Sequence, residues 1–351
     1  MKGVEIGAFH LGVPIIQGGM GVGISLGGLA GAVAHEGGMG IISTAQIGFK
    51  QPDFMKNVQE ANLRAIDLQI KKAKAIAKGH GMVGVNIMVA LRDYAQHVRQ
   101  AVESGADCII SGAGLPLHLP ALVGDAKTKI APIVSSGKAA MLILKSWDRK
   151  FHKTADFLVI EGAKAGGHLG FKKEEILSHQ TQGLLDIFKD VKDVVKGFEE
   201  KYQRHIPIFV AGGIYSHEDI IEALDAGADG VQMGTRFIAT HECDADDMYK
   251  QAFLACREED ITIVTSPVGM PGRAINTPFM QKVAQERQPI KHCFQCISSC
   301  HVANAPYCIT QALIEAALGH FDRGLFFTGA NGYRIDKIVS VKELMDELIG
   351  A

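Results

Sequence analysis

The sequence has 351 residues, of which 47 % are hydrophobic and 21 % are charged, and its 36 basic and 38 acidic residues give a net charge of −2. This balance gives no electrostatic reason to expect nucleic acid or an anionic membrane as a partner, and no apolar run reaches the ~18 residues of a membrane span. Glycine is in excess, at 40 of 351 residues, or about 11 % against a usual share of about 7 %.

The cysteines argue against an exported, disulfide-bonded protein. There are seven, an odd number in a long chain, and the first residues lack the apolar stretch and cleavage site of a secretory signal. We therefore expect a cytoplasmic protein. Four of the seven cysteines lie in one short stretch, residues 293–308, whereas the others are isolated.

Short apolar runs alternate with longer helical patterns along the first 235 residues. The runs are continuously apolar, which is typical of strands buried on both faces. Eight strands are predicted, at residues 13–17, 39–43, 83–88, 107–111, 130–135, 156–161, 206–211 and 230–234. The clearest helices between them are predicted at residues 26–36, 59–77, 94–104, 184–201 and 217–226.

Eight such strand–helix units in about 235 residues favour a closed parallel (β/α)8 barrel, the TIM barrel. The alternative, an open doubly wound sheet, has its glycine-rich loop after the first strand and an acidic residue about 20 positions later. Here glycine-rich segments follow several strands. The sequence therefore predicts an α/β protein with a (β/α)8 barrel.

The pattern changes after the eighth strand. Helices are predicted at residues 244–256 and 310–318, with a Gly/Pro-rich connection at 265–278 and the cysteine stretch between them. We expect residues 236–324 to form a helical addition over the C-terminal face of the barrel, where barrel enzymes keep their active sites. Residues 1–235 and about 325–351 then form the barrel, with a terminal helix at 341–349 packing back on it.

Glycine-rich segments follow the first, fourth, sixth, seventh and eighth predicted strands. Without a Cβ, glycine lets the backbone approach a flat or anionic ligand with its N–H groups turned inward. The loops after strands seven and eight are the common phosphate site of this barrel. One Gly-Gly pair is explained by a tight turn, but five corresponding segments predict a phosphorylated planar cofactor, with FMN favoured over NAD.

The ordered motifs resemble the nitronate monooxygenase (2-nitropropane dioxygenase-like) family, which also contains FMN-dependent enoyl-ACP reductases. The matching segments are QGGMG from Gln17, GVN from Gly84, EGAKAGGH from Glu161, AGGI from Ala211, QMGTRF from Gln232 and GRA from Gly272. Together they cover roughly residues 13–280. The resemblance implies a (β/α)8 barrel that carries FMN at the C-terminal ends of its strands.

The resemblance also implies which residues contact the cofactor. The flavin ring would lie near Gly18, Gly19 and Met20, with Asn86 and Glu161 as polar contacts. The ribityl chain and phosphate would be surrounded by Gly166, Gly213, Gln232, Gly234 and Thr235. Further predicted contacts are Gly167 and Gly212, in the same glycine-rich segments, and Ser135, a hydroxyl donor at the end of the fifth strand.

Two residues depart from the family pattern. Many members have an acidic residue where this chain has Lys164, and the monooxygenases often have Gln where this chain has Glu161. The Glu161 form is closer to the reductase branch. For Glu161 itself, a helix N-cap or an ion pair with Lys164 is the alternative to a role in the site.

His168 matches the position of the family's active-site histidine. Its ordinary pKa near 6.5 allows it to donate or accept a proton near neutrality. In nitronate oxidation it would take a proton or bind the anionic nitro group, and in enoyl reduction it would orient or protonate the acyl carbonyl. The alternative is a solvent-exposed loop histidine.

The four clustered cysteines, Cys293, Cys296, Cys300 and Cys308, have the spacing C-x2-C-x3-C-x7-C. Thiolates this close in sequence can converge on a Zn ion or an iron–sulfur cluster, and the spacing does not separate the two. Buried unligated thiols or a redox-active pair are the alternative. An iron–sulfur cluster near a flavin would favour an electron-relay reductase, whereas Zn would only hold the addition together.

The leading hypothesis is an FMN-dependent nitronate monooxygenase, which oxidises alkyl nitronates with O2 through the chemistry of the flavin. The nearest alternative is an NAD(P)H-dependent enoyl-ACP or quinone reductase on the same barrel. A phosphosugar isomerase or aldolase is less favoured, because no Schiff-base lysine stands at a strand end. The hypothesis of a non-enzymatic, metal-bearing protein depends on the cysteines alone. The expected partner is a small-molecule substrate, and NAD(P)H use and a homodimeric assembly stay open.

Overall fold

The computed structural model describes all residues, 1–351. Its strands are β1 (Val4–Ile6), β2 (Phe9–Leu11), β3 (Ile15–Gln17), β4 (Met39–Ser43), β5 (Met82–Met88), β6 (Cys108–Gly112), β7 (Lys129–Val134), β8 (Leu158–Glu161), β9 (Gly167–His168), β10 (Ile208–Ala211), β11 (Gly230–Met233), β12 (Ile261–Thr265) and β13 (Pro271–Ile275). Its helices are α1 (Gly27–His35), α2 (Val58–Ala77), α3 (Tyr94–Glu103), α4 (Leu119–Val123), α5 (Gly137–Phe151), α6 (Lys173–Leu177), α7 (Leu184–Tyr202), α8 (His217–Asp225), α9 (Thr235–Ile238), α10 (Asp247–Leu254), α11 (Pro278–Gln285), α12 (Ile309–Ala317) and α13 (Val341–Ile349).

Eight parallel strands close into a barrel in the order β3-β4-β5-β6-β7-β8-β10-β11. The (β/α)8 prediction is confirmed, and each observed strand begins and ends within about two residues of the predicted one. The agreement has a physical reason. A barrel strand is packed against side chains inside and helices outside, so its sequence is apolar throughout and stands out from the amphipathic helices.

The apolar core forms two layers, one between the strands and the surrounding helices and one inside the barrel. The inner layer includes Phe157 and Phe209, whose rings meet edge to face at 5.7 Å. The hairpin β1–β2, which the sequence analysis did not predict, adds Ile6 and Leu11 to this inner layer. Its turn at Gly7 lies against Lys129, the first residue of β7, so the hairpin closes the N-terminal end of the barrel.

The sequence predicts a helical addition after the barrel, but the structure also contains two strands in this segment. Strands β12 and β13 form an antiparallel hairpin, and β13 also pairs with β9, in the loop after β8. The β-branched run of β12, Ile-Thr-Ile-Val-Thr, favours a strand. The stretch that was expected to be an irregular connection, residues 265–278, therefore contains a strand that reaches back to the barrel face.

The last helix, α13, packs between α1 and α8. It occupies the place of the helix that would follow β11, and its bounds match the predicted terminal helix. The Leu348 carbonyl is hydrogen-bonded to His217 Nδ1 at 2.9 Å, and the Val341 N–H donates to Glu242 at 2.9 Å. None of the helices has the length and apolar character that crossing a membrane requires.

Candidate active site

A cavity of about 260 Å³ opens at the C-terminal ends of the barrel strands. All but one of the predicted cofactor contacts converge here, although they come from five different barrel strands. Those that line the cavity are Gly18, Gly19, Met20, Asn86, Glu161, Gly166, Gly167, Gly212, Gly213, Gln232, Gly234 and Thr235, together with His168.

Ser135 is the exception among the predicted contacts. It lies just past the end of β7 and does not line the cavity. Gly170 covers it so closely that a Cβ on that glycine would be 2.5 Å from the Ser135 Oγ. Ser135 therefore lies outside the cavity that the other predicted contacts line, because the loop after β8 folds over the end of β7.

The glycine-rich segments bring backbone, rather than side chains, to the cavity surface. Gly212 has a φ of +100°, and a Cβ there would lie 2.8 Å from the Gly162 carbonyl oxygen. A Cβ on Gly166 would lie 2.6 Å from the carbonyl carbon of Thr328. Both contacts are with backbone, which cannot rotate away as a side chain would, so these positions require glycine.

Gln232 presents an unsatisfied polar atom at the cavity. Its Oε1 is buried and has no hydrogen-bond partner in the protein, and its side chain lies beside Gly18, where an added Cβ would be 3.1 Å away. A buried acceptor of this kind costs free energy unless a donor reaches it. The side chain is therefore placed to accept a hydrogen bond from a molecule in the cavity.

Glu161 ends β8 at the cavity without a charged partner. Neither alternative considered for it is present: Glu161 is the last residue of a strand, and no charged group, Lys164 included, acts on its carboxyl. Burial raises the pKa of its carboxyl group from an ordinary 4.5 to about 8. At neutral pH the group is therefore mainly protonated, and a neutral carboxyl can both donate and accept hydrogen bonds.

His168 is held in the cavity wall by the strand pairing of β9 with β13, in which it lies opposite Gly272. Its Nε2 and the Ser266 Oγ are hydrogen-bonded at 2.7 Å, and its ring meets Phe327 edge to face at 5.0 Å. Burial lowers the pKa of the imidazole from 6.5 to about 4. His168 is thus a neutral, oriented imidazole at physiological pH and not the exposed loop histidine of the alternative interpretation.

Arg273, on β13, holds the loop that carries His168. Its Nη1 donates to the carbonyl oxygens of Ala163 at 2.7 Å and Ala165 at 2.6 Å. The guanidinium is mostly buried, and burial lowers its pKa from the ordinary value. The N–H donors of a guanidinium are held in a fixed, planar geometry. The hydrogen bonds of Arg273 therefore tie the loop after β8 to the hairpin β12–β13.

Sequence reasoning missed two parts of this site. One is Ser266, the partner of His168. The other is the loop 328–331, which lines the cavity next to the predicted phosphate-binding glycines. There, the Gly329 N–H donates to Thr235 Oγ1 at 2.9 Å and Asn331 Nδ2 donates to the Gly213 carbonyl at 2.7 Å. The signal that would have indicated this loop is a further Thr-Gly-Ala-Asn-Gly run, residues 328–332.

The cavity has an apolar roof from the segment after the barrel. Its side chains are Val268, Ile297, Ile309 and Leu313, joined by Leu91 from the loop after β5. Leu91 and Ile297 form an isolated β-bridge, and the Arg92 N–H donates to the Cys296 carbonyl at 3.1 Å. The barrel thus supplies the polar floor of the cavity, and the segment after it supplies the apolar cover.

The four clustered cysteines lie beside this roof, and Cys296 lines the cavity. Cys293 is exposed, whereas Cys296, Cys300 and Cys308 are partly buried. The predicted site for a single metal ion is not formed, because no three His, Cys, Asp or Glu side chains of the structure converge closely enough to hold one. The loop that carries three of the thiols has no regular secondary structure to draw them to a point.

Comparisons with family models and with curated relatives point to the same family. The nitronate monooxygenase family matches residues 4–350 of the chain. A probable nitronate monooxygenase of Bacillus subtilis is 24 % identical over 364 residues, which cover 97 % of this chain and 96 % of that relative. A (3aS,4S,5R,7aS)-5-hydroxy-7a-methyl-1-oxo-octahydro-1H-indene-4-carboxyl-CoA dehydrogenase of Mycobacterium tuberculosis is 26 % identical over 270 residues, or 77 % of this chain, and the chain spans 65 % of its length.

Solved structures show the same fold. FabK from Thermotoga maritima superposes with a TM-score of 0.72 at 25 % identity, covering 96 % of this chain and 92 % of that one. A nitroalkane oxidase from Streptomyces ansochromogenes has a TM-score of 0.70 at 19 % identity, covering 96 % of this chain and 95 % of that one. The latter similarity concerns the fold alone.

Proposed function

Since the chain belongs to the nitronate monooxygenase family, a family of oxidoreductases, we propose that it is an FMN-dependent enzyme that oxidises alkyl nitronates with O2. The proposal needs a cavity that fits the flavin, a polar group that meets the nitronate and a cover that keeps water out.

The residues present fit FMN. The Gln232 Oε1 lacks a donor, the glycines at 212 and 213 have φ values of +100° and +94°, and a phosphorylated flat ligand needs such acceptors and exposed backbone N–H groups. We propose that Asn86 and the neutral Glu161 hold the ring, that Gln232 accepts a hydrogen bond from the ribityl chain, and that Gly212, Gly213 and Thr235 hold the phosphate. FMN, when bound, supplies the redox chemistry.

We propose that His168 binds the nitronate. A neutral imidazole donates one hydrogen bond from its N–H without adding a charge to the cavity, and a nitronate oxygen carries negative charge. The hydrogen bond to Ser266 and the contact with Phe327 keep the ring in one orientation, which lowers the entropic cost of binding in a reactive geometry. The apolar roof excludes water, so this hydrogen bond is stronger than it would be in solution.

The observation that carries the proposal is the position of His168, in the wall of the same cavity that the glycine-rich strand ends form. We also propose that residues 1–235 with 325–351 act as the cofactor-binding unit and that residues 236–324 act as the substrate-facing addition. This division assigns the two walls of the cavity to the two parts of the chain.

The test uses the full-length purified protein. Cofactor released by denaturation should be FMN, at about one per chain. Under anaerobic conditions, propyl-2-nitronate should bleach the flavin absorbance, and O2 should restore it. Release of FAD, or of no flavin, would contradict the cofactor assignment. A flavin that nitronate leaves oxidised while NADH or NADPH bleaches it rapidly would contradict the reaction.

A second candidate function is an NAD(P)H-dependent enoyl-ACP or quinone reductase. The observation that favours it is Glu161, a carboxyl group where the monooxygenases often have Gln, together with the structural similarity to FabK at 25 % identity. The NAD(P)H arm of the same experiment distinguishes the two reactions.

A further inference from the structure

A second cavity, of about 330 Å³, lies between α9, α13 and the chain segment that precedes α13. The proposed function makes no use of it. Half of its ten lining residues are charged, namely Arg236, Arg334, Lys337, Asp336 and Glu347. Cavities of about 300 Å³ or more commonly hold small molecules, and complementary charge selects the ligand. This composition therefore suits a charged ligand.

Two guanidinium groups lie over the ring of Tyr215, which also lines this cavity. The central carbon of the Arg236 guanidinium is 4.4 Å from the ring centroid, and that of Arg334 is 4.1 Å from it. The two carbons are therefore at most about 8.5 Å apart, the sum of these distances. The ring attracts each cation electrostatically and holds it in place. Two positive charges that repel each other are thus fixed beside one recess.

The acidic side chains of the lining do not balance its basic ones. Arg236 Nη2 forms an ion pair with Glu347 Oε1 at 2.7 Å, and this is the one ion pair among the lining residues. Arg334 and Lys337 are exposed and have no carboxylate within ion-pair distance. Asp336 is also unpaired, so three cations face two carboxylates. The guanidinium of Arg334 is therefore available to an anion.

We propose that this cavity binds a small molecule through a phosphate or diphosphate group. A phosphate group carries roughly two negative charges and has oxygen atoms in several directions, so it can bond to two guanidinium groups at once. A carboxylate has one charge and two oxygen atoms in one plane, and a single guanidinium satisfies it. Arg236 and Arg334 supply the donors for the phosphate oxygens, and Lys337 adds a third positive charge.

This site is separate from the one proposed for the phosphate of FMN. Tyr215 lines both cavities, but neither Arg236 nor Arg334 lines the candidate active-site cavity. The Tyr215 hydroxyl donates to the Arg334 carbonyl at 2.6 Å, which fixes the chain between the two cavities. The phosphate group bound here therefore belongs to a second ligand. The inference does not depend on the proposed function.

The test is isothermal titration calorimetry of the full-length protein with inorganic pyrophosphate, in the presence of excess FMN. We expect one site per chain, with a dissociation constant below about 1 mM and an affinity that falls when NaCl is added. Titrations with ADP and with inorganic phosphate compare the sources of the group. Tighter binding of ADP than of pyrophosphate would assign a nucleotide, and the reverse order would assign a free phosphate anion.

The variant Arg334→Ala should weaken pyrophosphate binding at least about tenfold, because charge-assisted hydrogen bonds are lost. Circular dichroism and flavin content should stay unaltered, since the Arg334 side chain is exposed. Lys337→Ala should weaken binding by a smaller factor, about threefold. The matched control is Arg99→Ala, at an exposed arginine on α3, which should bind pyrophosphate as the wild type does.

The proposal is overturned if the protein takes up no pyrophosphate at about 10 mM, or if Arg334→Ala and Arg99→Ala bind it equally well. Binding that disappears when FMN is added in excess would also overturn it, because the anion would then occupy the candidate active-site cavity. Flavin content and nitronate turnover are measured on the same samples. Failure of this proposal and failure of the proposed function are therefore separate results.

Discussion

The two walls of the active-site cavity differ in the kinds of chemical group that line them. The barrel wall contains most of the glycine backbone of the cavity and its buried polar groups, such as the unpaired Gln232 and the protonated Glu161. The opposite wall is mainly apolar side chains from the segment after the barrel, with Cys296 and Thr310 among them. His168 stands where they meet, on a barrel loop but paired with the hairpin β12–β13.

This contrast separates two kinds of specificity. A wall made of backbone tolerates few substitutions where, as at Gly166 and Gly212, an added Cβ would collide with other backbone. A wall made of apolar side chains can change shape by exchange of one residue for another of different volume. We therefore expect the barrel wall to determine the cofactor and the roof to determine which substrate is accepted. The predictions below test that division.

The largest effect is expected for His168→Ala. Loss of the imidazole should lower turnover of nitronate about a hundredfold or more, while FMN content stays the same, because the group acts on the substrate. Steady-state kinetics and flavin quantification measure the two effects. The control is His241→Ala, at an exposed position, which should keep full turnover. Loss of flavin from His168→Ala would instead place this residue with the cofactor wall.

The next largest effect is expected for Gly166→Ala. Its Cβ would lie 2.6 Å from the Thr328 backbone, so the loop 328–331 must move away from the phosphate end of the cavity. We expect the affinity for FMN, measured by fluorescence titration, to fall about tenfold. Gly197→Ala is the control, because nothing lies within 4 Å of a Cβ there. Unchanged FMN affinity of Gly166→Ala would show that this wall tolerates side chains.

A smaller effect is expected for Ser266→Ala. The change removes the 2.7 Å hydrogen bond to His168, which is worth about 1 kcal/mol or roughly fivefold in turnover. Ser266→Thr keeps the hydroxyl and should restore most of the activity, whereas flavin content should not change in either variant. If Ser266→Thr were as impaired as Ser266→Ala, the role of Ser266 would be packing and not orientation of the imidazole.

The smallest effect is expected for Glu161→Gln, measured as the unfolding temperature against pH. Burial raises the pKa of Glu161 from 4.5 to about 8, so the folded state keeps a proton that the unfolded state releases. Wild-type stability relative to the variant is therefore full below about pH 4.5 and is lost as the pH rises to about 8.

The unfolding temperature of Glu161→Gln should accordingly exceed that of the wild type by a few degrees at pH 8, and the two should be equal near pH 4.5. Glu222→Gln, an exposed change on α8, is the control and should show no such pH-dependent difference. A constant difference between Glu161→Gln and wild type across this range would mean that the carboxyl is ionised in the folded protein.

The barrel was predictable from sequence to a greater degree than the segment after it. The strands of a (β/α)8 barrel are local, continuously apolar runs, and their glycine-rich ends lie next to them in the chain. The partners of the site are not local. Ser266 is 98 residues from His168, and Asn331 is 118 residues from the Gly213 carbonyl that it binds. No periodic pattern links positions at such distances.

The sequence by itself determined the barrel, the glycine-rich face and the family, because burial on both sides and the need for bare backbone both restrict residue choice locally. The tertiary structure decided the protonation state and the accessibility of the polar groups. Burial makes His168 and Glu161 neutral at physiological pH, and the loop after β8 covers Ser135. The hydrogen bonds that the glycine-rich segments offer to a ligand become strong only where the segment after the barrel excludes water.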